Sequence, residues 1–284
     1  MCKKSKKLAA FILICMLLVT GIPVKNCDFG TKNVYAEMTK LFHLNMNDSN
    51  KEVTKIVHID LNGDGNKEEV EFLVKKDIDG SINTFIVNIN GENALTLNSM
   101  GYLINVSYLK LSANRSYLYI VDSYDNDCPT VDAVYHYNVS TKKLDPVLNL
   151  DTVQWKKGAA YVNSTVNISK NILQVTYDGH MKSLGYIKWI FNYKYQNGKF
   201  VLKNNTAKVI DRYHKGNFVA NKNITFYKKP GTSNKAFSIK SGTAVKLQKI
   251  QLFKNSYYLQ FRYRNKTGWI KAEKRNIFKD IITL

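Results

Sequence analysis

Short runs of alternating apolar and polar residues dominate this chain. Residues 70–74, 84–89, 118–121, 133–139, 173–177 and 188–195 are rich in β-branched and aromatic side chains and keep a period of two, which predicts strands. No stretch holds a long helical period. The runs recur as a phrase of strand, acidic or glycine-containing loop, second strand, tight turn and short third strand. The first copy is 70–97, turning at Asn90-Gly91; the second is 118–148, turning near Ser140-Thr141; the third is 173–202, turning at Asn197-Gly198. Their starts lie 48 and then 55 residues apart.

That pattern predicts an all-β body, because a small antiparallel sheet cannot bury both faces alone and must stack on its neighbours. The architecture it implies is either propeller-like or an ordinary meander. Three copies are too few for a closed ring.

The first 36 residues have the parts of an export signal: Lys3, Lys4, Lys6 and Lys7, an apolar run over 8–24, and a small-residue site at Val34-Tyr35-Ala36. The expected mature chain starts at Glu37. The run is short for a membrane span, which needs about 20 residues, and Gly21 and Pro23 interrupt it, so no transmembrane anchor is expected after cleavage. Cleavage removes Cys2, Cys15 and Cys27 and leaves Cys128, which excludes an intramolecular disulfide in the mature chain. An exported protein of this kind relies on core burial or bound ions. The organisation expected is a signal peptide over 1–36, a body over 38–215 and a tail module over 216–284.

Charge sharpens that division. Residues 37–215 hold 21 Lys and Arg against 19 Asp and Glu, whereas residues 216–284 hold 15 against 2. The basic character belongs to the tail. For an exported chain the accessible polyanions are wall polymers, acidic glycans and lipid headgroups, and nucleic acid fits the charge but not the leader.

The most specific chemistry is at 60–71, Asp-Leu-Asn-Gly-Asp-Gly-Asn-Lys-Glu-Glu-Val-Glu. Asp60, Asn62 and Asp64 stand two apart, so their oxygens can turn toward one hard cation while Gly65 permits the bend. The run satisfies the pattern of a helix–loop–helix calcium site with Glu71 in the twelfth position. Lys67 occupies the place where that site expects an apolar residue, and 55–59 and 70–74 alternate as strands. The loop instead resembles the strand–loop–strand calcium sites of FG-GAP and VCBS-like bacterial repeats, with the motif D-x-[DN]-x-D-G-x-x-[DE]. That resemblance implies calcium as the cofactor, with Asp60, Asn62, Asp64, the backbone carbonyl of Asn66, and Glu68 as ligands. The family usually has Asp followed by an apolar residue where this chain has Glu68 and Glu69. Asp122, Asp125 and Asp127 form a second acidic group that could bind another ion, though its first reading is an acidic solvated turn.

In the tail, Ile224-Thr-Phe-Tyr-Lys-Lys-Pro-Gly, Gly242-Thr-Ala-Val-Lys-Leu, Tyr257-Tyr-Leu-Gln-Phe-Arg-Tyr and Thr267-Gly-Trp-Ile-Lys follow one another. This text resembles bacterial Src-homology-3-type domains, small five-stranded β-barrels associated with peptidoglycan or peptide binding. By that resemblance Tyr227, Tyr257, Tyr258 and Trp269, with Lys228 and Arg262, are the candidate ligand contacts, and Tyr263, Lys229 and Arg264 stand beside them. Alternation sends only every second strand residue outward, so several of these aromatics must be core.

Signals for catalysis fail on context. Ser107-Tyr-Leu-Lys110, Ser112-Ala-Asn114 and Lys240-Ser-Gly242 mimic penicillin-recognising enzymes, but the first two elements are crowded together in strand-like text. His43, His58, His136, His180 and His214 show no metal-pair spacing, and Asp127 and Pro129 flank Cys128. The expectation is a secreted, non-enzymatic, envelope-associated binding protein whose tail contacts wall polymer or peptidoglycan. An exported wall hydrolase targeted by the tail, or a scaffold for a protein partner, are the alternatives.

Overall fold

The computed structural model describes residues 37–44, 50–99, 101–125, 128–150, 159–169, 171–210 and 216–279. The leader expected over 1–36, and His214, Asp127 and the Asp125 and Cys128 side chains, lie outside what is described. Among the described residues there is no helix, and every strand pairing is antiparallel.

Three four-stranded meanders make up the body. The first runs β2 (Glu52–Ile59), β3 (Glu68–Lys76), β4 (Ile82–Ile89) and β5 (Glu92–Asn98) in spatial order. The second runs β6 (Leu103–Ser112), β7 (Arg115–Asp125), β8 (Cys128–Asn138) and β9 (Lys143–Asn149), with β1 (Glu37–Leu44) added on β6. The third runs β10 (Ala159–Ser169), β11 (Ile172–Met181), β12 (Gly185–Gln196) and β13 (Lys199–Leu202). The sequence phrase is the second to fourth strands of each unit. It misses the leading strands β2, β6 and β10, of which β2 is largely exposed and carries no strict alternation. The turns fall where expected: Asn90-Gly91 and Asn197-Gly198 take positive φ at both residues, the conformation that matches the twist of a two-residue hairpin.

Burial on β7 shows how the layers are ordered. Tyr117, Leu118, Tyr119 and Ile120 are all buried, and successive side chains belong to different cores. Leu118 and Ile120 join Phe72, Phe85 and Val87 of the first meander; Tyr117 and Tyr119 join Val175, Tyr177 and Trp189 of the third. The second sheet is therefore covered on both faces. Phe42, Phe72 and Phe85 fill the first interface with ring centroids 5.7 to 6.3 Å apart. None of the sheets closes on itself.

The third meander continues into the tail. In β14 (Thr206–Ile210), Lys208, Val209 and Ile210 pair with β12, while Thr206 and Ala207 pair with β18 (Ala244–Phe253). From β18 the ladder runs through β19 (Ser256–Tyr263), β20 (Lys266–Lys271), β16 (Ile224–Tyr227) and β17 (Lys235–Ile239), with β15 (Asn217–Val219) also on β18. One hydrophobic core spans the third meander and the tail, joining Trp189 and Phe191 to Tyr257, Phe226 and Phe261.

Asp122 departs from its expected solvated turn. It is buried on β7, where its Oδ2 accepts from the Thr130 hydroxyl at 2.8 Å and its Oδ1 has no hydrogen-bond partner among the described residues. Gly101 leaves it space, since a Cβ there would lie 2.2 Å from Oδ1. Burial raises the Asp122 pKa above the ordinary carboxylate value, with Ser99 and Thr130 opposing in part. A raised folded-state pKa stabilises the fold below the unfolded value, and that contribution is lost as pH rises through the folded value. Asp122→Asn is expected to raise unfolding stability at pH 7 by roughly 1 kcal/mol or more, by removing a buried charge. Urea unfolding between pH 4 and 7 checks this: the difference from the native chain should grow with pH, and a constant difference would contradict it.

Candidate metal loop and basic tail surface

The loop 60–67 joins two paired strands and is closed at its base by the Ile59–Glu68 pair. Both flanks are strands, and Glu71 is engaged on β3 with the Asn88 amide at 2.7 Å, remote from any twelfth-position role. Each oxygen-bearing residue accepts from backbone N–H groups a few positions on: Asp60 from Gly63 at 2.7 Å and Gly65 at 3.3 Å, Asn62 from Asp64 at 2.8 Å, Asp64 from Asn66 at 2.7 Å. Glu68 reaches in from β3, buried, and accepts from the Leu61 N–H and the Asn62 amide, both at 2.7 Å. The same Asn62 Nδ2 donates to Asp64 Oδ2 at 3.0 Å. Two carboxylates thus converge on one point held by an amide donor. The Asn66 backbone N–H, and then the Asn62 side chain, hold the Asp64 carboxyl below its ordinary pKa.

The donor set Asp60, Asn62, Asp64 and Glu68 is all hard oxygen, which fits calcium chemistry. The geometry is that of a loop closed on its own amides. Asp60 directs both oxygens at backbone N–H groups, Asn62 turns its nitrogen toward the carboxylates, and among the described residues no three His, Cys, Asp or Glu side chains group as metal ligands.

The loop is also a joint between layers. Leu61 is wholly buried in the first core, and the Asp60 carbonyl accepts from the Tyr108 hydroxyl of β6 at 2.9 Å. Tyr108 in turn lies 2.9 Å from the Ser116 hydroxyl. Gly63 sits on the β6–β7 turn so closely that a Cβ would come 2.5 Å from Asn114 Cα.

In the tail, the register sorts the predicted contacts by face. Trp269 stands opposite both Tyr227 and Gln260, Tyr258 opposite Lys271, and Arg262 opposite Thr267, so these side chains share one face of the β19–β20–β16 ladder. Trp269 is 8% exposed, yet among the described residues it is the one buried hydrophobic outside both cores. Tyr258 packs edge-on against Phe253 at 6.0 Å, and Lys228 is exposed. Tyr257 points the other way. It is buried, edge-to-face with Trp189 at 5.6 Å and stacked on Phe191 at 6.2 Å, which makes it a seam between tail and third meander instead of a ligand contact. Tyr263 stacks on Phe237, with the Arg264 guanidinium 5.2 Å above its ring.

The enzyme-like motif is dispersed: Ser107 and Lys110 lie three apart on β6 and so face opposite ways, and Lys240 is in the tail. Sequence reasoning missed the Lys222, Lys274 and Arg275 cluster, which lies in irregular segments that no periodicity marks. His180, weighed in the sequence only for metal-pair spacing, lies on β11, where burial and then the nearby Arg275 charge push its imidazole below its ordinary pKa.

The class defined by these features is an all-β protein of stacked antiparallel meanders that run on into a basic β module. Compared with protein-family models, curated proteins and solved structures, the chain matches none.

Two glycines separate space from backbone strain. Both take positive φ, but a Cβ at Gly65 meets nothing within 4 Å whereas one at Gly63 collides with Asn114 backbone. Gly65→Ala is expected to cost about 1 kcal/mol from conformation alone, and Gly63→Ala at least about twice that. Denaturant unfolding of the two variants measures the gap, and equal losses would show that the loop does not press on the β6–β7 turn.

Proposed function

We propose that this is an exported, non-enzymatic binding protein of the cell envelope, in which a calcium-braced, propeller-like stack presents a basic Src-homology-3-type tail to anionic wall polymers or peptidoglycan. The observation that carries the reading is one face of the tail ladder, where Tyr227, Tyr258 and the largely buried Trp269 share their side with Arg262 and Lys271, and Lys228 is exposed nearby in sequence. Aromatic surface supplies contact area at low entropic cost, and exposed cations supply attraction to polyanions. The only acid described in the tail, Glu273, is already paired with Lys271 at 2.8 Å. Among the described residues the tail's basic side chains are therefore almost unopposed by acid, and all but the half-buried Lys271 are exposed.

In this reading Asp60, Asn62, Asp64, the Asn66 carbonyl and Glu68 hold calcium. The ion supplies the positive charge on which the two carboxylates converge, in place of the Asn62 amide.

The intact chain from residue 37 is expected to sediment with isolated cell walls at low salt and to be released as ionic strength rises, with Trp269→Ala weakening capture about tenfold. Failure to sediment at low salt sinks the wall-contact reading. Calcium is expected to raise the melting temperature of the native chain and to leave that of Asp64→Ala unchanged, while wall capture by the variant persists. Identical melting of the native chain in calcium and in chelator would refute the metal assignment.

A further inference from the structure

The tail also carries a concave basic surface, on the segment that follows β20. Ala272 is buried and donates its N–H to the Tyr257 carbonyl at 2.9 Å. Further on, the Ile277 carbonyl accepts from Asn221 N–H at 2.8 Å, Phe278 is buried and bridges to Ala220, and Lys279 N–H donates to Val219 at 2.8 Å. Residues 273–276 therefore arch between two pinned ends, with Asn276 in the left-handed region at φ 51°. Lys274 and Arg275 are exposed on that arch, and Lys222 and Asn223 face them from the turn into β16.

Between these walls lies an open cleft of about 360 Å³, lined by Lys222, Asn223, Thr225, Lys274 and Arg275 with Ile224 and Ile277 beneath. Among the described residues its lining holds three cations and no carboxylate. The Asn223 side-chain oxygen is committed to Ser241 N–H at 3.1 Å, which leaves its amide NH₂ as the donor end. Lys274 Nζ lies 5.8 Å over the Tyr227 ring, so the cleft opens beside the aromatic face.

We propose that this cleft binds a phosphoryl group of an anionic polymer. The assignment rests on the reading that the tail contacts wall polymers, and it names both the subsite and the chemistry recognised. A lone carboxylate would compensate one of three cations, whereas a phosphoryl group offers several acceptor oxygens and successive phosphates in a polymer offer several charges. Arg275 contributes a planar fork that grips a phosphate through two parallel bonds, and Lys222 and Lys274 act as point charges on either wall. The size is at the lower end of small-ligand sites, enough for a phosphate with a few attached carbons.

The test uses the intact chain from residue 37 with inorganic phosphate, poly(glycerol phosphate), polygalacturonate and phosphatidylglycerol vesicles as probes. Phosphate is expected to shift the amide resonances of Asn223, Lys274 and Arg275. K274E/R275E should lower affinity for poly(glycerol phosphate) at least ~10-fold, and K249E/K266E, the same charge change elsewhere on the tail, less than ~3-fold. Lys222→Ala, an exposed single substitution on the opposite wall, should weaken the same binding if the double variant fails to fold. Equal losses in the two double variants, or equal affinity for polygalacturonate, overturn the cleft while leaving the wall-contact reading in place. Preference for the vesicles over the soluble polymer overturns the polymer assignment. A native chain that ignores walls and polymer alike sinks the reading on which the cleft rests.

Discussion

The fold depends on a sheet that must be covered twice. The middle meander is apolar on both faces at β7, where Tyr117 and Tyr119 look one way and Leu118 and Ile120 the other, so it can exist only as a filling between two further sheets. That requirement fixes the order of the layers. It also explains why the outer sheets differ in character from the middle one. On β11 and β12 the inward residues are wholly buried and their alternates only partly, the pattern of a sheet with one wet face. The stack ends where its sheets become polar on the outside, and no ring is needed to terminate it.

Packed layers that slide would satisfy burial equally well, so polar contacts must set their register. Between the first and second layers this is done by the loop 60–67, whose Asp60 carbonyl takes the Tyr108 hydroxyl while Gly63 rests on the β6–β7 turn. Between the second and third, the buried Asp132 accepts from Tyr119 at 2.9 Å and from Ser164 of β10 at 2.6 Å. Each is a directional bond in an otherwise non-directional interface, where misplacement leaves a polar group unsatisfied.

Much of the body could be read from the chain because two of its hairpins use Asn-Gly, whose need for positive φ is a local signal independent of context. The phrase repeated from β3, β7 and β11 followed from a period of two. The leading strands escaped because β2 is largely exposed, with Ile56 half out in solvent, and carries no strict alternation. Asp122 departs from its sequence expectation for a related reason. Nearby acids in sequence suggested solvent, but strand direction turns this one inward, and burial is a tertiary property. In the tail, alternation said that some aromatics must be core; only the register with β18 and β20 tells that Tyr257 is one and Tyr258 is not. The cation cleft is set by segments distant in sequence that meet through Asn221 and Ile277, and it has no linear signature.

The division of β14 between two partners bears on mechanics. Its first two paired residues belong to the tail ladder and its last three to the third meander, so the five-residue strand is a coupling set in series between them. If the tail is tethered to something large and fixed, tension on it is carried into β12 through backbone hydrogen bonds, backed by the shared core around Trp189 and Tyr257. A load taken up by the tail would therefore reach the whole stack before any linker could stretch.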